Sequence, residues 1–267
     1  MSTADPGQQA HSPPASRAAS PEQAPVLLRK HEGWAEIVFN RPARKNAIQG
    51  PFAQAFLQAL HEAEADDSLR ALVLRGEGGT FCSGLDLQEF NADPKPAWVA
   101  DFSTLWRQVH VALASTHKIV LVALERYAIN GGAALAIAGD LVIAGESAQL
   151  QVGEVRLGMA APNNLAWILM RHSEAVAARL ALMGDRIGSA ELLRLGVVTE
   201  VVADDQVVTR CTALAQEMGR WPVKGISAIK PAIRRASLGM SAQDWFSSFG
   251  SAAAPNPPSL AASRSQT

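Results

Sequence analysis

The order of patterns along this chain predicts an α/β fold with a largely parallel sheet. Short β-branched and apolar runs alternate with segments of helical period, glycine turns stand where strands hand over to helices, and the stretch beyond Ala161 reads as mainly helical. The chain has 267 residues, 48% of them hydrophobic and 18% charged, enough for one large domain or two modest ones with a substantial core. Lys and Arg number 24 against 25 Asp and Glu, a net charge of −1, so no basic excess points to a nucleic-acid partner. The best candidate for a membrane span, 119–144, is interrupted by Glu125, Arg126, Asn130 and Asp140, and no membrane partner is expected.

Residues 1–24 are rich in Ala, Ser, Pro and Gln and contain no apolar run of the kind a secretory signal needs. They read as a disordered tail on a cytoplasmic protein. Order is expected to begin near Pro25, with an α/β core over 25–203. Residues 26–29 and 34–39 form a strand pair turning at Glu32 and Gly33, and Asn40-Arg41-Pro42 ends the second strand because proline has no ladder donor. Phe52, Phe56, Leu60 and Ala63 recur at helical spacing over 51–65. A short strand at 71–74 runs into Gly76, Gly78 and Gly79.

The pattern then repeats without sequence identity: strand 119–124, turn Asn130-Gly131-Gly132, helix 133–138, strand 141–144, and an alternating stretch at 150–155 that suits one more strand. Helices follow at 166–171, 173–183 and 189–195, the last with Gly196 as its C-cap. A strand at 197–202 and amphipathic helices at 204–221 and 224–238 complete the ordered region. Residues 204–249 are expected to be a C-terminal helical region, and 250–267, dominated by Ala, Pro, Asn and Ser, a second disordered tail.

Three segments can carry chemistry. Phe81-Cys82-Ser83-Gly84-Leu85-Asp86-Leu87 is a glycine turn between a strand and a helix, and in Tyr127-Ala128-Ile129-Asn130-Gly131-Gly132-Ala133-Ala134 two glycines open a helix. Such turns let backbone N–H groups approach a ligand, and two of them together supply two donors to one developing oxyanion; each taken alone also reads as a plain turn. In Gln151-Val152-Gly153-Glu154-Val155-Arg156-Leu157-Gly158, Glu154 sits among apolar neighbours at a strand end. It reads either as a base whose pKa is raised by desolvation or as a surface carboxylate paired with Arg156. Cys82 and Cys211 lie far apart and read as buried thiols, and no metal site is expected.

The order of these segments resembles the crotonase superfamily, the enoyl-CoA hydratase/isomerase family, over about 26–230. Asn40-Arg41-Pro42 with Asn46-Ala47 is similar to the family's NRP…NA segment. Phe81 to Leu87, Tyr127 to Asp140, Glu154 to Gly158, and Gly184-Asp185-Arg186-Ile187 with Ala190 and Gly196-Val197-Val198 follow in the family's order. The resemblance implies a ClpP-like spiral of repeated ββα units with a C-terminal helical region used for oligomerisation, as a homotrimer or dimer of trimers. It implies an acyl-CoA substrate, with coenzyme A as part of the thioester and no separate cofactor. By motif, the oxyanion donors fall on the N–H groups of Leu85 and Gly131, the base on Glu154, and the CoA contacts on Lys45, Asn46, Cys82, Ser83, Gly84 and Leu85. Lys45 reads equally as a phosphate contact and as a solvated lysine.

The sequence also departs from the family. The hydratases' first catalytic glutamate falls on Ala134, leaving one acid, and the Leu157-Gly158-Met159-Ala160-Ala161-Pro162 stretch resembles that of single-glutamate enoyl-CoA isomerases. The additional acids of dienoyl-CoA isomerases would fall on Ala134 and Pro162. Isomerisation of a β,γ-enoyl-CoA to the α,β form is therefore the expected reaction. Other crotonase chemistry (hydration or dehydration, thioester hydrolysis, decarboxylation) and non-catalytic acyl-CoA binding are the alternatives. The stretch 89–105, with Pro94 and Pro96, corresponds to the family's variable substrate loop and is expected to be irregular. Trp98, Trp106 and Trp167 are candidates for acyl-pocket lining, and the histidines for surface or core positions. Trp245, Phe246 and Phe249 are followed by Ala-Pro-Asn-Pro-Pro where the family's AFxxKR-like closing segment would stand.

Overall fold

The computed structural model describes residues 24–250; the expected tails, apart from Ala24 and Gly250, lie outside the described residues. The strands are β1 (Val26–Lys30), β2 (Trp34–Phe39), β3 (Ala71–Gly76), β4 (Ile119–Leu124), β5 (Tyr127–Ile129), β6 (Leu141–Gly145), β7 (Gln149–Gln151), β8 (Arg186–Gly188) and β9 (Glu200–Val202). The helices are α1 (Gly50–Glu64), α2 (Leu87–Phe90), α3 (Phe102–Ser115), α4 (Gly131–Ile137), α5 (Pro162–Arg171), α6 (Glu174–Ala181), α7 (Ser189–Arg194), α8 (Val207–Met218), α9 (Val223–Leu238) and α10 (Ala242–Phe249). The larger sheet runs β1-β2-β3-β4-β6-β9, antiparallel only between β1 and β2, and a small sheet runs β5-β7-β8. Strand–strand–helix order recurs in β1-β2-α1 and β4-β5-α4.

Side chains alternate faces along a strand, and the two cores follow that period. Ile37, Phe39, Leu72, Leu74, Val120, Val122 and Val142 join the larger core, which also holds the buried faces of α1, α3 and α5, whereas Trp34, Ala71, Val73, Leu121, Ala123 and Ile143 pack with Val207, Cys211 and Ala215 of α8. The central strands read as unbroken apolar runs because both faces are covered. α8, the first long helix of the expected C-terminal helical region, thus packs on the second face of the larger sheet. α10 docks through Phe246, which stacks in the core beside His110 and Trp167.

Two expectations are corrected. The strand expected over 150–155 stops at Gln151, and Glu154–Leu157 is a 3-10 turn closed by Gly158 in the left-handed region (φ 66). The segment 89–105 is not irregular throughout. A short turn at Ala97–Val99 leads into α3 at Phe102, and Trp106, Val109, His110 and Leu113 of α3 recur at helical spacing on its buried face.

Candidate active site

The loop after β2 and the turn after β3 are built around Asn46. Lys45 and Asn46 both take positive φ (51 and 55). Asn46 is fully buried; its Oδ1 accepts the Arg41 N–H at 2.9 Å, and its Nδ2 donates to the carbonyls of Glu77 at 3.0 Å and Thr80 at 2.6 Å. Its side chain therefore ties the two loops together and is turned away from solvent. Lys45 is exposed and, with Arg44, Ala47, Ser83, Leu85 and Gln88, lines a cavity of about 320 Å³. Asp86, at the floor of this loop pair, caps α2 and is paired with Arg41 and Arg44. Burial works to raise its pKa, but the two guanidiniums outweigh it and hold the carboxyl below its ordinary range.

Short parallel bridges join Ile48 to Leu85 and Cys82 to Ala128. The Ile48 N–H donates to the Gly84 carbonyl, and the Asp86 N–H to the Ile48 carbonyl, both at 2.8 Å. Because N–H groups alternate along an extended segment, the Leu85 N–H points away from Ile48. The Ile129 N–H donates to the Cys82 carbonyl at 3.1 Å, so β5 flanks this turn. The packing leaves no room for a side chain: a Cβ on Gly84, whose φ is +88, would lie 2.7 Å from the Ile129 carbonyl oxygen, and one on Gly132 would lie 2.5 Å from that of Cys82. These glycines let the turn carrying Leu85 and the turn opening α4 at Gly131 lie against each other. The Gly131 N–H belongs to the first turn of α4, where amides have no partner within the helix.

Cys82 is enclosed in this junction. Its Sγ donates to the Asn46 carbonyl at 3.2 Å, and burial pushes its thiol up to about 12, so it contributes backbone rather than sulfur chemistry. Trp106 stands beside the Gly131 turn, 3.8 Å from where a Gly131 Cβ would be, at the end of a chain of ring contacts through Phe102, Trp98 and Phe90. Trp167 instead lies in the core, where its Nε1 donates to His110 Nδ1 at 2.8 Å.

Glu154 starts the 3-10 turn after β7 and is 9% exposed. The expected alternative, an ion pair with Arg156, does not form: that guanidinium donates to the Met183 carbonyl. Oε1 of Glu154 accepts from Asn164 Nδ2 at 2.8 Å, and Oε2 has no partner among the described residues. Desolvation pushes the carboxyl up to about 7, against the smaller opposing pull of its own backbone N–H and of Asn164. A carboxyl poised near neutrality with one free oxygen is suited to taking and returning a proton. On α4, Ala134 is fully buried and offers no titratable group.

The spiral of strand–strand–helix units, with glycine turns packed against each other at the strand ends, is the crotonase fold. The family model described as enoyl-CoA hydratase/isomerase matches residues 29–245, and the chain belongs to this family. It is 31% identical over 215 residues to the 1,2-epoxyphenylacetyl-CoA isomerase of Escherichia coli, covering 79% of this chain and 82% of that protein. It is 30% identical over 220 residues to the enoyl-CoA hydratase EchA19 of Mycobacterium tuberculosis, covering 81% and 83%. Among solved structures, carnitinyl-CoA hydratase from Mycobacterium avium superposes with a TM-score of 0.72 at 28% identity, over 85% of this chain and 90% of that one.

Sequence reasoning passed over Asn164, which is 2% exposed in the first turn of α5 and touches the Glu154 carboxyl directly. Asn163-Asn164 after Pro162 carries no motif, and only the fold brings it to Glu154. It also passed over the backbone of Asn130, which takes φ 50 and ψ −111, a region that costs a residue with a Cβ about 1–3 kcal/mol. A third omission is the buried cluster on Asp140, which pairs with Lys230 at 2.6 Å, Arg234 at 3.0 Å and Arg171 at 3.6 Å.

Proposed function

We propose that this protein isomerises a β,γ-unsaturated acyl-CoA thioester to the conjugated α,β form with Glu154 as the only proton carrier. The observation that supports this reading most is the pairing of a buried, half-bonded Glu154 with Ala134 on α4. One acid shuttles one proton, whereas hydration needs a group to activate water and another to handle the α-proton. In this reading the thioester oxygen accepts from the Leu85 and Gly131 N–H groups. Glu154 Oε2 takes the α-proton, and the electron pair of the broken C–H bond spreads over the dienolate as negative charge on that oxygen. Glu154 returns the same proton to the γ-carbon, leaving the double bond between Cα and Cβ. Each oxyanion donor contributes roughly 10²- to 10³-fold in rate. The cavity beside Lys45, Ser83 and Leu85 is where the CoA portion would lie, with Gly84 and Cys82 contributing main chain and Asn46 shaping the loop from beneath.

The test is incubation of purified protein with a panel of 3-enoyl-CoA thioesters. Conjugated product is expected from the wild type, and Glu154→Gln should lose it by roughly 10²-fold or more. Net addition of water, release of free CoA, or an unimpaired Glu154→Gln enzyme would refute the reading. The exposed Ile229 and Ile233, four residues apart on one face of α9, support self-association into the trimer or dimer of trimers. Light scattering of the purified chain checks this, and a monomer would refute it.

A further inference from the structure

The base and the oxyanion turn are cross-linked by amide side chains whose bonds leave one carboxylate oxygen free. Asn164 Nδ2 donates to Glu154 Oε1 at 2.8 Å and to the Asn130 carbonyl at 3.1 Å, and Asn130 immediately precedes Gly131. In return, Asn130 Oδ1 accepts the N–H of Gly153, the residue before Glu154, at 2.8 Å. Both hydrogens of the Asn164 amide are spent on acceptors. Rotating that amide would set Oδ1 against a carbonyl and a carboxylate, so its orientation is fixed. Asn130 adopts a backbone conformation that favours glycine (φ 50), so the bond from Gly153 to its side chain forms at a position where a Cβ is locally disfavoured.

We propose that Asn130 and Asn164 are positioning residues that lock the oxyanion turn to the base and dedicate Oε2 of Glu154 to proton transfer. This rests on the reading of Glu154 as the proton carrier. Oε1 is engaged whether Glu154 is charged or neutral, because a protonated carboxyl still accepts at its carbonyl oxygen. The proton therefore arrives at and leaves from Oε2 while the network stays intact. No charged group complicates this among the described residues: burial, the backbone N–H of Glu154 and the Asn164 amide are what act on the carboxyl, and Arg156 on the same turn is turned to Met183. β5 and α4 present no titratable side chain to it, and from α5 it meets Asn164.

Asn164→Leu keeps the shape but removes the donor. Its Glu154 carboxyl, followed by ¹³C NMR without substrate, is expected to titrate about one pH unit higher than in the wild type. The acid limb of kcat/KM should move with it, and kcat should fall roughly tenfold or more with KM changed less than about threefold. Asn130→Gly suits the local backbone, so it should melt no lower than the wild type while kcat falls by a similar factor. An unmoved titration in Asn164→Leu, or full kcat in Asn130→Gly, would overturn the proposal. Should Asn164→Leu not fold, Asn130→Gly alone decides it. A wild type that turns over no enoyl-CoA would instead overturn the proposed reaction, and the substrate-free titration would still judge the network.

Discussion

Replacing Glu154 with Gln should stabilise the protein at alkaline pH while abolishing its chemistry. Burial moves this carboxyl from 4.5 to about 7, so the folded state holds its proton more tightly than the unfolded chain does. The sign follows from linkage: the stability associated with the raised pKa is present in full below pH 4.5, is lost as pH rises toward 7, and stays lost above it. At about 1.36 kcal/mol per unit, a shift of that size amounts to about 3 kcal/mol. The substituted amide carries no charge and keeps an oxygen to accept from Asn164, so the variant escapes this cost. The expected result is a gain of about 3 kcal/mol at about pH 8, or roughly 6–12 °C in Tm for a domain of this size, shrinking to nearly nothing at about pH 4.5. Thermal melts of both proteins across that range measure it. A Glu154→Gln difference that does not vary with pH would refute the claim that the carboxylate is desolvated in the fold.

The activity itself should fall about tenfold per unit as pH drops below about 7, because the base must be ionised in the free enzyme; a flat kcat/KM between about pH 5 and 8 would contradict this. Gly132→Ala places a Cβ 2.5 Å from the Cys82 carbonyl oxygen and should destabilise by about 1–3 kcal/mol, with a large loss of turnover as the two turns separate. Gly131→Ala meets the end of the Ile48 side chain at 3.1 Å and Trp106 at an ordinary 3.8 Å, with no backbone atom as close, and should melt closer to the wild type by differential scanning calorimetry. Asp140→Ala leaves the buried Lys230 and Arg234 and the half-buried Arg171 without their anion and should cost about 3–5 kcal/mol by chemical denaturation.

The strands of the larger sheet and most helices were legible in the sequence because period and burial agree: Phe52, Phe56 and Leu60 mark the buried face of α1, and the apolar runs of β3 and β4 sit between two covering layers, whereas β5 and β8, three residues each, are too short to show a period. α3 was hidden because Pro94 and Pro96 suggest irregular chain just before it, and its buried face mixes a tryptophan and a histidine with Val109 and Leu113. The strand at 150–155 was over-extended because Leu150 and Val152 alternate correctly, whereas Gly153 turns the chain into the 3-10 turn that presents Glu154. That Leu85 and Gly131 lie on glycine turns packed together, with Glu154 just after β7, is a placement motif order leads one to expect. The contact of Asn164 with Glu154 could not be read, because it spans a turn and a helix start and leaves no local pattern. Asn46 lies in the loop that motif order singles out, and only the fold shows that its side chain is spent on the carbonyls of Glu77 and Thr80.

Isotope tracing of a 3-enoyl-CoA turned over in water labelled with both deuterium and oxygen-18 bears most directly on whether one carboxyl moves one proton here. The conjugated thioester should form with no oxygen-18 incorporated, carrying at most deuterium at the γ-carbon, and only when Glu154 is present. Labelled oxygen in the acyl chain, or the same product from Glu154→Gln, would contradict it.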